Sequence, residues 1–339
     1  MSMLKYIFRR ILQLIPILFG VLIITFFLSR AMPGNPVEAH LPPLFTPEQY
    51  EAKLRALGFD LPIWQQFFIY LGNLFLGNWG KSISINRGQD VWELIWERFP
   101  RTLDIAIFSI IIASLVGIKT GVVAATHRNK AKDTIFRGFA LVGVSIPVFW
   151  LGLLLQFFVA YRLGWFPAIG YKDMRYEDPE LITGFRIIDS IIENKWYLVG
   201  DYLIHLVLPV FCLSFIFLAT FTRQTRSSML EILQQDYIRT ARAKGCREKD
   251  VIKKHARRNA LIPTVTVIGL SIGGLLGGAM LTEITFNLHG MGELLLRAIL
   301  DRDYYVLNAI VFMTTIIFIL VNLFTDMAYA YLDPRIKYD

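Results

Sequence analysis

From Ile11 to Ser29 the chain runs 19 residues without a charge. A helix needs about 20 mostly apolar residues to cross the hydrocarbon layer of a membrane, and few other structures can absorb such a run. Five more stretches of this kind follow: Ile105–Thr126, interrupted only by Lys119, then Gly138–Tyr161, Tyr202–Thr222, Asn259–Thr282 and Tyr304–Thr325. None alternates strictly over about ten residues, as a barrel strand does. The sequence therefore predicts an all-α polytopic membrane protein with six transmembrane helices. Composition agrees: charged residues make up 18% of the chain, against about 25% in soluble domains. That excludes a water-soluble globule and a disordered tail. Cys212 and Cys246 lie in an apolar run and a basic loop, which gives no disulfide framework and no CxxC pair.

Lys5, Arg9 and Arg10 precede the first run, as in a signal peptide. The uncharged stretch exceeds the roughly 7–15 residues of a signal core, and no small-x-small site follows. The first run is read as a retained anchor.

The formal net charge of +8 is informative through its distribution, because retained cytoplasmic loops collect Lys and Arg. Arg128, Lys130 and Lys132 sit between the second and third runs, and residues 223–258 hold eleven basic residues against four acids. Residues 283–303 carry two basic residues against four acids, and 162–199 carry five against six. The N-terminus, the His127 loop, the 223–258 loop and the C-terminus are thus expected in the cytoplasm, which explains the basic charge without nucleic acid. The expected organisation is a cytoplasmic N-terminus and first helix (1–30), an external helical segment (31–100), and a five-helix core (101–335). The core includes an external loop (162–199) and a cytoplasmic loop (223–260), and a cytoplasmic tail (336–339) follows it. Within the external segment, Thr46-Pro47-Glu48 reads as a capped helix start that stops at Gly58. Leu61–Leu76 and Val91–Phe99 read as aromatic-rich amphipathic helices on the membrane interface or on the bundle.

A search for catalytic chemistry returns little. Gly77-Asn78-Trp79-Gly80-Lys81-Ser82 superficially resembles a phosphate loop, but has two residues between its glycines where the motif needs four; it reads as an external turn. HExxH, GxSxG and clustered Cys/His patterns are missing, and His205 on an apolar face reads as a packing residue. The informative segment is the basic loop. Leu230, Leu233, Tyr237, Ile238 and Ala241 fall on one stripe of a helix, with Gly245 as its stop. On physics alone, such a helix suits either an anionic-lipid anchor or a knob for a partner's groove.

The run Asp236-Tyr237-Ile238-Arg239-Thr240-Ala241-Arg242-Ala243-Lys244-Gly245 resembles the coupling (EAA) loop of ABC importer permeases in its peptide-importer version, and residues 255–263 (HARRNALIP) continue the signature. Where the general pattern has Glu-Ala-Ala, Arg239-Thr240-Ala241 stands here, a departure usual in the dipeptide/oligopeptide/nickel family. Arg9-Arg10 with Gln13 and Pro16, Pro33-Gly34-Asn35-Pro36, Gly58-Phe59-Asp60-Leu61-Pro62, Arg98-Phe99-Pro100-Arg101-Thr102-Leu103, Ser145-Ile146-Pro147-Val148-Phe149-Trp150, Gly164-Trp165-Phe166-Pro167 and Leu332-Asp333-Pro334-Arg335 are similar to that family in order and spacing. Residues 171–199 are longer than the family pattern and are read as an external insert. The resemblance implies a multi-pass permease of a prokaryotic cytoplasmic membrane with no ATPase site and no cofactor of its own. Its implied partners are a homologous second permease, two ABC ATPase subunits that carry ATP and Mg, an extracytoplasmic binding protein, and membrane lipids. Tyr237, Ile238, Arg239, Thr240, Ala241, Arg242, Ala243, Lys244 and Gly245 would transmit ATPase motion to an alternating-access bundle. The cargo, among dipeptides, oligopeptides, nickel complexes and oligosaccharides, stays open.

Other residues stand out on physical grounds. Gly269, Gly273, Gly274, Gly277 and Gly278 form three overlapping GxxxG spacings, which suit close helix packing or a translocation path at the interface with a second subunit. Glu283, just past the fifth run, reads as a solvated carboxylate or as a contact for substrate or binding protein. Lys119 and Asp326 are expected to face each other or a water-filled vestibule. An ion-driven secondary transporter would show internal repeats and deep ionisable residues; this chain has one set of six runs and few deep carboxylates. A membrane scaffold would not need the coupling signature.

Overall fold

Proline decides where the apolar runs stay continuous and where one of them breaks. The computed structural model describes residues 3–31, 37, 38, 41, 42 and 44–332, with side-chain surroundings except at 3–11, 276–278, 326 and 328–332. In chain order, helix α1 spans Met3–Ala31, α2 Pro47–Ala56, α3 Ile63–Phe75 and α4 Val91–Thr126. Helix α5 spans Ala131–Ser145, and α6 spans Val148–Leu155 and continues as a π-helical stretch, Gln156–Arg162. Then come α7 (Arg186–Ile192), α8 (Trp196–Ile232), α9 (Asp236–Ala243) and α10 (Glu248–Asp250). A π-helical stretch, Val251–Ala256, leads into α11 (Arg257–Gly278), which is followed by α12 (Met280–Phe286), α13 (Met291–Leu300) and α14 (Tyr304–Leu332). Among the described residues the only extended pairing is an isolated bridge between Lys81 and Asp90. Among the described residues five helical stretches are long and apolar enough to cross a membrane, or six if α5 and α6 with its π-helical continuation count as one broken span.

That break corrects the expectation of a single helix over Gly138–Tyr161. The chain bends by 102° between Ser145 and Val148. Pro147 has no N–H to donate and restricts the residue before it, and Ile146 sits at φ −83°, ψ 124°. Pro100, Pro209 and Pro263, by contrast, lie inside α4, α8 and α11. Passage through Pro100 fuses the expected Val91–Phe99 helix with the second span, so the division drawn at residue 100 falls inside α4.

Helices α4 and α8 form the central pair. Ile105, Ala113, Tyr202, Leu206, Cys212 and Phe221 are buried together between them and their neighbours. The backbones approach closely because α4 carries glycine at the crossing. A Cβ on Gly117 would lie 2.8 Å from Phe221 Cβ, and one on Gly121 would lie 2.8 Å from the Thr222 carbonyl oxygen. Between spanning helices such small-residue seams and side-chain hydrogen bonds take over the work that apolar burial does in water. Here Thr120 and Thr222 share a hydroxyl hydrogen bond of 2.7 Å, and Ser214 Oγ donates to the Ser109 carbonyl at 3.2 Å. Helix α5 joins the pair through Gly143 against Ala219 and through a bidentate ion pair from Arg226 to buried Asp133 at 2.6 and 2.9 Å.

The segment after α1 is anchored to this bundle. Thr46 caps the start of α2, as the sequence indicates, and Gln49 completes a capping box with it. Helix α3 lies on α1, with Phe67 against Phe19 and Phe26 and Tyr70 stacked on Phe26 at 5.4 Å. Its Trp64, Phe68 and Phe75 remain exposed. The phosphate-loop look-alike has a clear role. At its end, Ser82 Oγ and, just after it, the N–H groups of Ile83, Ser84 and Ile85 donate to one carboxylate oxygen of fully buried Asp303, at 2.6, 2.9, 3.1 and 3.4 Å. The turn is an anion nest, and its anion is the protein's own side chain.

Candidate functional site

The basic loop folds into a short two-faced helix at one end of the bundle. The single stripe expected from Leu230 to Ala241 is in fact two helices, because the chain turns at 233–235 between α8 and α9. The turn lets Ile238 and Ala241 reach the same apolar cluster as Met229, Val251, Ala256, Ala260 and Ala125, with Leu230 and Leu233 packed against it. That cluster ties α9 to the ends of α4, α8 and α11. Tyr237 departs from the stripe: it is exposed, and its hydroxyl accepts from Asn259 Nδ2 at 2.9 Å.

The other face of α9 is open. Arg239, Thr240, Arg242, Ala243, Lys244 and Gly245 are all exposed. Thr240 Oγ1 donates to the Asp236 carbonyl at 3.0 Å, and Arg242 makes a bidentate contact to Glu248 at 3.1 and 2.8 Å. Gly245 ends the helix with φ +76°. Its N–H donates to the Arg242 carbonyl at 2.9 Å and the Cys246 N–H to the Ala241 carbonyl at 3.2 Å, the double bond of a Schellman cap. The result is a rigid, cationic projection on an apolar socket. Its charged face is open, and its socket joins three helix ends.

The glycines of α11 divide by neighbour. A Cβ on Gly269 would collide with Thr325 and one on Gly273 with Phe318, both on α14, whereas one on Gly274 would meet nothing within 4 Å. Gly277 and Gly278 lie in α11 but outside the residues whose surroundings are described. Lys119 is exposed; the side chain of its expected partner, Asp326, also falls outside the described residues.

Glu283 is not the solvated carboxylate of the plainer reading: it is fully buried. Thr102 Oγ1 of α4 donates to Glu283 Oε1 at 2.6 Å, and the Glu293 N–H donates to Oε2 at 3.0 Å. The Met291 N–H in turn donates to Thr102 Oγ1 at 2.8 Å. A carboxylate from α12 therefore caps the start of α13, where the helix dipole favours negative charge, and locks both to α4. Burial pushes the Glu283 carboxyl above its usual range, against the pull of these donors.

Several polar residues of the site were not legible as such. In the segment after α6, Arg186 is buried and bonds Asp178 at 2.9 and 3.3 Å, and Tyr202 Oη donates to Asp178 at 2.9 Å. Burial raises Asp178, but Arg186, Tyr202 and Lys172 together hold its carboxyl below the usual range. Tyr171 donates to Asp104 of α4. These pairs turn an apparently irregular stretch into a fixed cover on the α4–α8 pair. His205 is a satisfied packing residue, its Nδ1 2.8 Å from the Asp201 carbonyl.

This arrangement, an all-helical bundle with five or six candidate membrane spans and an exposed two-faced helix between two of them, is that of a polytopic membrane component, and the family matches say of which kind. Residues 117–338 match the family described as the binding-protein-dependent transport system inner membrane component, and residues 3–106 match the corresponding N-terminal family. The chain belongs to that family. It is 42% identical over 337 residues to the dipeptide transport system permease protein DppB of Alkalihalophilus pseudofirmus, covering 99% of this chain and 100% of that one. It is 41% identical over 339 residues to the dipeptide permease DppB of Escherichia coli K12, at 99% of each chain. To the oligopeptide transport system permease protein AppB of Bacillus subtilis it is 38% identical over 336 residues, at 99% and 100%. The fold is similar to a chain of the MetNI methionine ABC transporter in inward-facing conformations, with a TM-score of 0.52 at 16% identity over 71% of this chain and 97% of that one.

Proposed function

We propose that this chain is the membrane-spanning permease subunit of an ATP-driven importer. With a second, homologous permease it forms the path for peptides or similar small solutes that an external binding protein delivers. The 223–260 loop lies in the cytoplasm with both termini and the His127 loop, and α9 docks into a cleft on a separate ATPase subunit that carries ATP and Mg. ATP-driven closure of the two ATPases draws the docked helices together and turns the bundle from inward- to outward-facing. The 31–100 segment and the 162–199 loop then face the binding protein.

The observation that carries this reading is α9 itself. Its apolar side is spent on the ends of α4, α8 and α11, and its charged side is left for another molecule. A lipid anchor would turn its apolar face to the membrane instead. Relatives that match from end to end are named as dipeptide and oligopeptide permeases, which supports a peptide cargo. Within the bundle, Gly269 and Gly273 serve packing, and Gly274 is the position of that set proposed for the translocation surface.

The test is uptake of a labelled dipeptide into proteoliposomes holding this chain, the second permease, both ATPases and the binding protein. Uptake is expected only with ATP and with every subunit present. Uptake driven by an ion gradient in vesicles lacking the ATPases would overturn the proposal.

A further inference from the structure

Where α4 meets the segment after α6 and the loop after α12, the chain leaves a cavity of about 280 Å³. It lies far from α9: Arg101, on its wall, is about 36 Å along α4 from Ala125 of the α9 socket, at 1.5 Å per residue. Its charged lining is unbalanced, with Arg101, Lys172 and Arg186 set against one carboxylate, Asp178. That carboxylate is fully used. Arg186 bonds it at 2.9 and 3.3 Å, Tyr202 Oη donates to it at 2.9 Å, and Lys172 Nζ lies 3.2 Å away. Asp104 takes the Tyr171 hydroxyl and is not on the wall. His289 is on the wall but is engaged with Glu293, its Nδ1 3.2 Å from Oε1.

Arg101 is the cation left over. Its one hydrogen bond among the described residues runs from Nη2 to Glu97 Oε1 at 3.4 Å, beyond the roughly 2.7–2.9 Å of a charge-assisted bond. Arg98 Nε stands 3.9 Å from the same oxygen. Arg101 Nε is sealed inside the protein, but Nη1, which also lacks a partner among the described residues, is not. An anion entering the cavity can therefore reach Nη1. The guanidinium is also held in place, 5.9 Å from the centre of the buried Tyr171 ring, with Arg186 at 5.8 Å from the same ring. A largely buried cation is costly without a close counter-charge, and the anion that a guanidinium fork matches best is a carboxylate or phosphate.

Place and size indicate the source. Asn287 and His289 of the wall follow α12, which continues from α11 and the open face at Gly274. A cavity this small takes a chain end rather than a protein surface, and Ile169 and Met174 give it an apolar side. A terminal carboxylate is the anion that linear peptides share whatever their side chains. We infer that this cavity receives the C-terminal carboxylate of the peptide cargo on Arg101, which rests on the peptide-import function proposed for the chain. Lys172 and Arg186 strengthen the attraction from a distance, because Asp178 holds both.

Equilibrium dialysis of labelled alanyl-alanine and alanyl-alaninamide against the purified permease–ATPase complex tests this, without binding protein and with a non-hydrolysable ATP analogue. The amide has the same side chains without the anion. Wild type is expected to hold alanyl-alanine about tenfold more tightly, the scale of a charged hydrogen bond. Arg101→Gln should bring the two peptides to equality. Arg101→Lys, which keeps the charge and loses the fork, should leave an intermediate preference. No saturable binding of alanyl-alanine, equal binding of both peptides by wild type, or an undiminished preference in Arg101→Gln would each overturn the inference. ATP-dependent uptake by the same wild-type complex with binding protein separates the two levels. Uptake without the preference removes the carboxylate site alone, whereas absence of uptake removes the import function and the site with it.

Discussion

Gly273 and Gly274 are neighbours on one helix, yet a side chain added at each meets opposite surroundings. Phe318 fills the space beside Gly273, and nothing lies within 4 Å of a Cβ on Gly274. Gly273→Leu is expected to overpack the α11–α14 seam and cost about 1–3 kcal/mol, seen as a lower melting temperature of the purified complex. Gly274→Leu should leave melting unchanged and reduce uptake per assembled complex. The reverse result would exchange the packing and path roles of the two positions. GxxxG spacing revealed that small residues matter on α11 but not which way each one faces. It also drew attention away from Gly117 and Gly121, a single pair on α4 that packs directly on α8. Glu283 and Asp303 were similarly opaque. Their partners, Thr102 and Ser82, lie 181 and 221 residues away in sequence, and no local pattern encodes such a pairing.

Single helices were legible wherever their own residues decide the geometry. The Thr46 cap of α2 and the Gly245 stop are local chemistry, and the structure holds both. The turn at 233–235 has no breaker residue; it exists because Ile238 and Ala241 must reach a cluster built from other helices. Four prolines lie in or beside the spans after α1, yet only Pro147 bends the path sharply, with the preceding Ile146 extended. For α9 the consequence is testable. Gly245→Ala forces a Cβ into the left-handed region at φ +76°, at a cost of about 1–2 kcal/mol. The cap should fray and the projection loosen. Hydrogen exchange should then rise at 241–246 with global melting nearly unchanged; unaltered exchange there would mean the cap does not hold the helix.

Across the whole molecule, the apolar runs announced a membrane bundle because nothing else absorbs so much uncharged chain. Which helix packs on which was not announced. The α4–α8 core, the α1–α14 pair and the broken α5–α6 span all arise from contacts distant in sequence. What unites these parts is a path from α9 through its apolar socket into α4, α8 and α11, and transmission along that path is the central claim. An inward-facing substitution such as Ala241→Asp would confuse docking with folding, since Ala241 is buried in the socket. Arg239→Glu changes only the exposed face. In the reconstituted complex, peptide uptake and binding-protein-stimulated ATP hydrolysis by Arg239→Glu should both fall about tenfold, equivalent to about 1.4 kcal/mol of lost interaction, with melting of the isolated permease pair unchanged. Wild-type uptake and coupling in Arg239→Glu, and likewise in Lys244→Glu, would contradict docking through this helix.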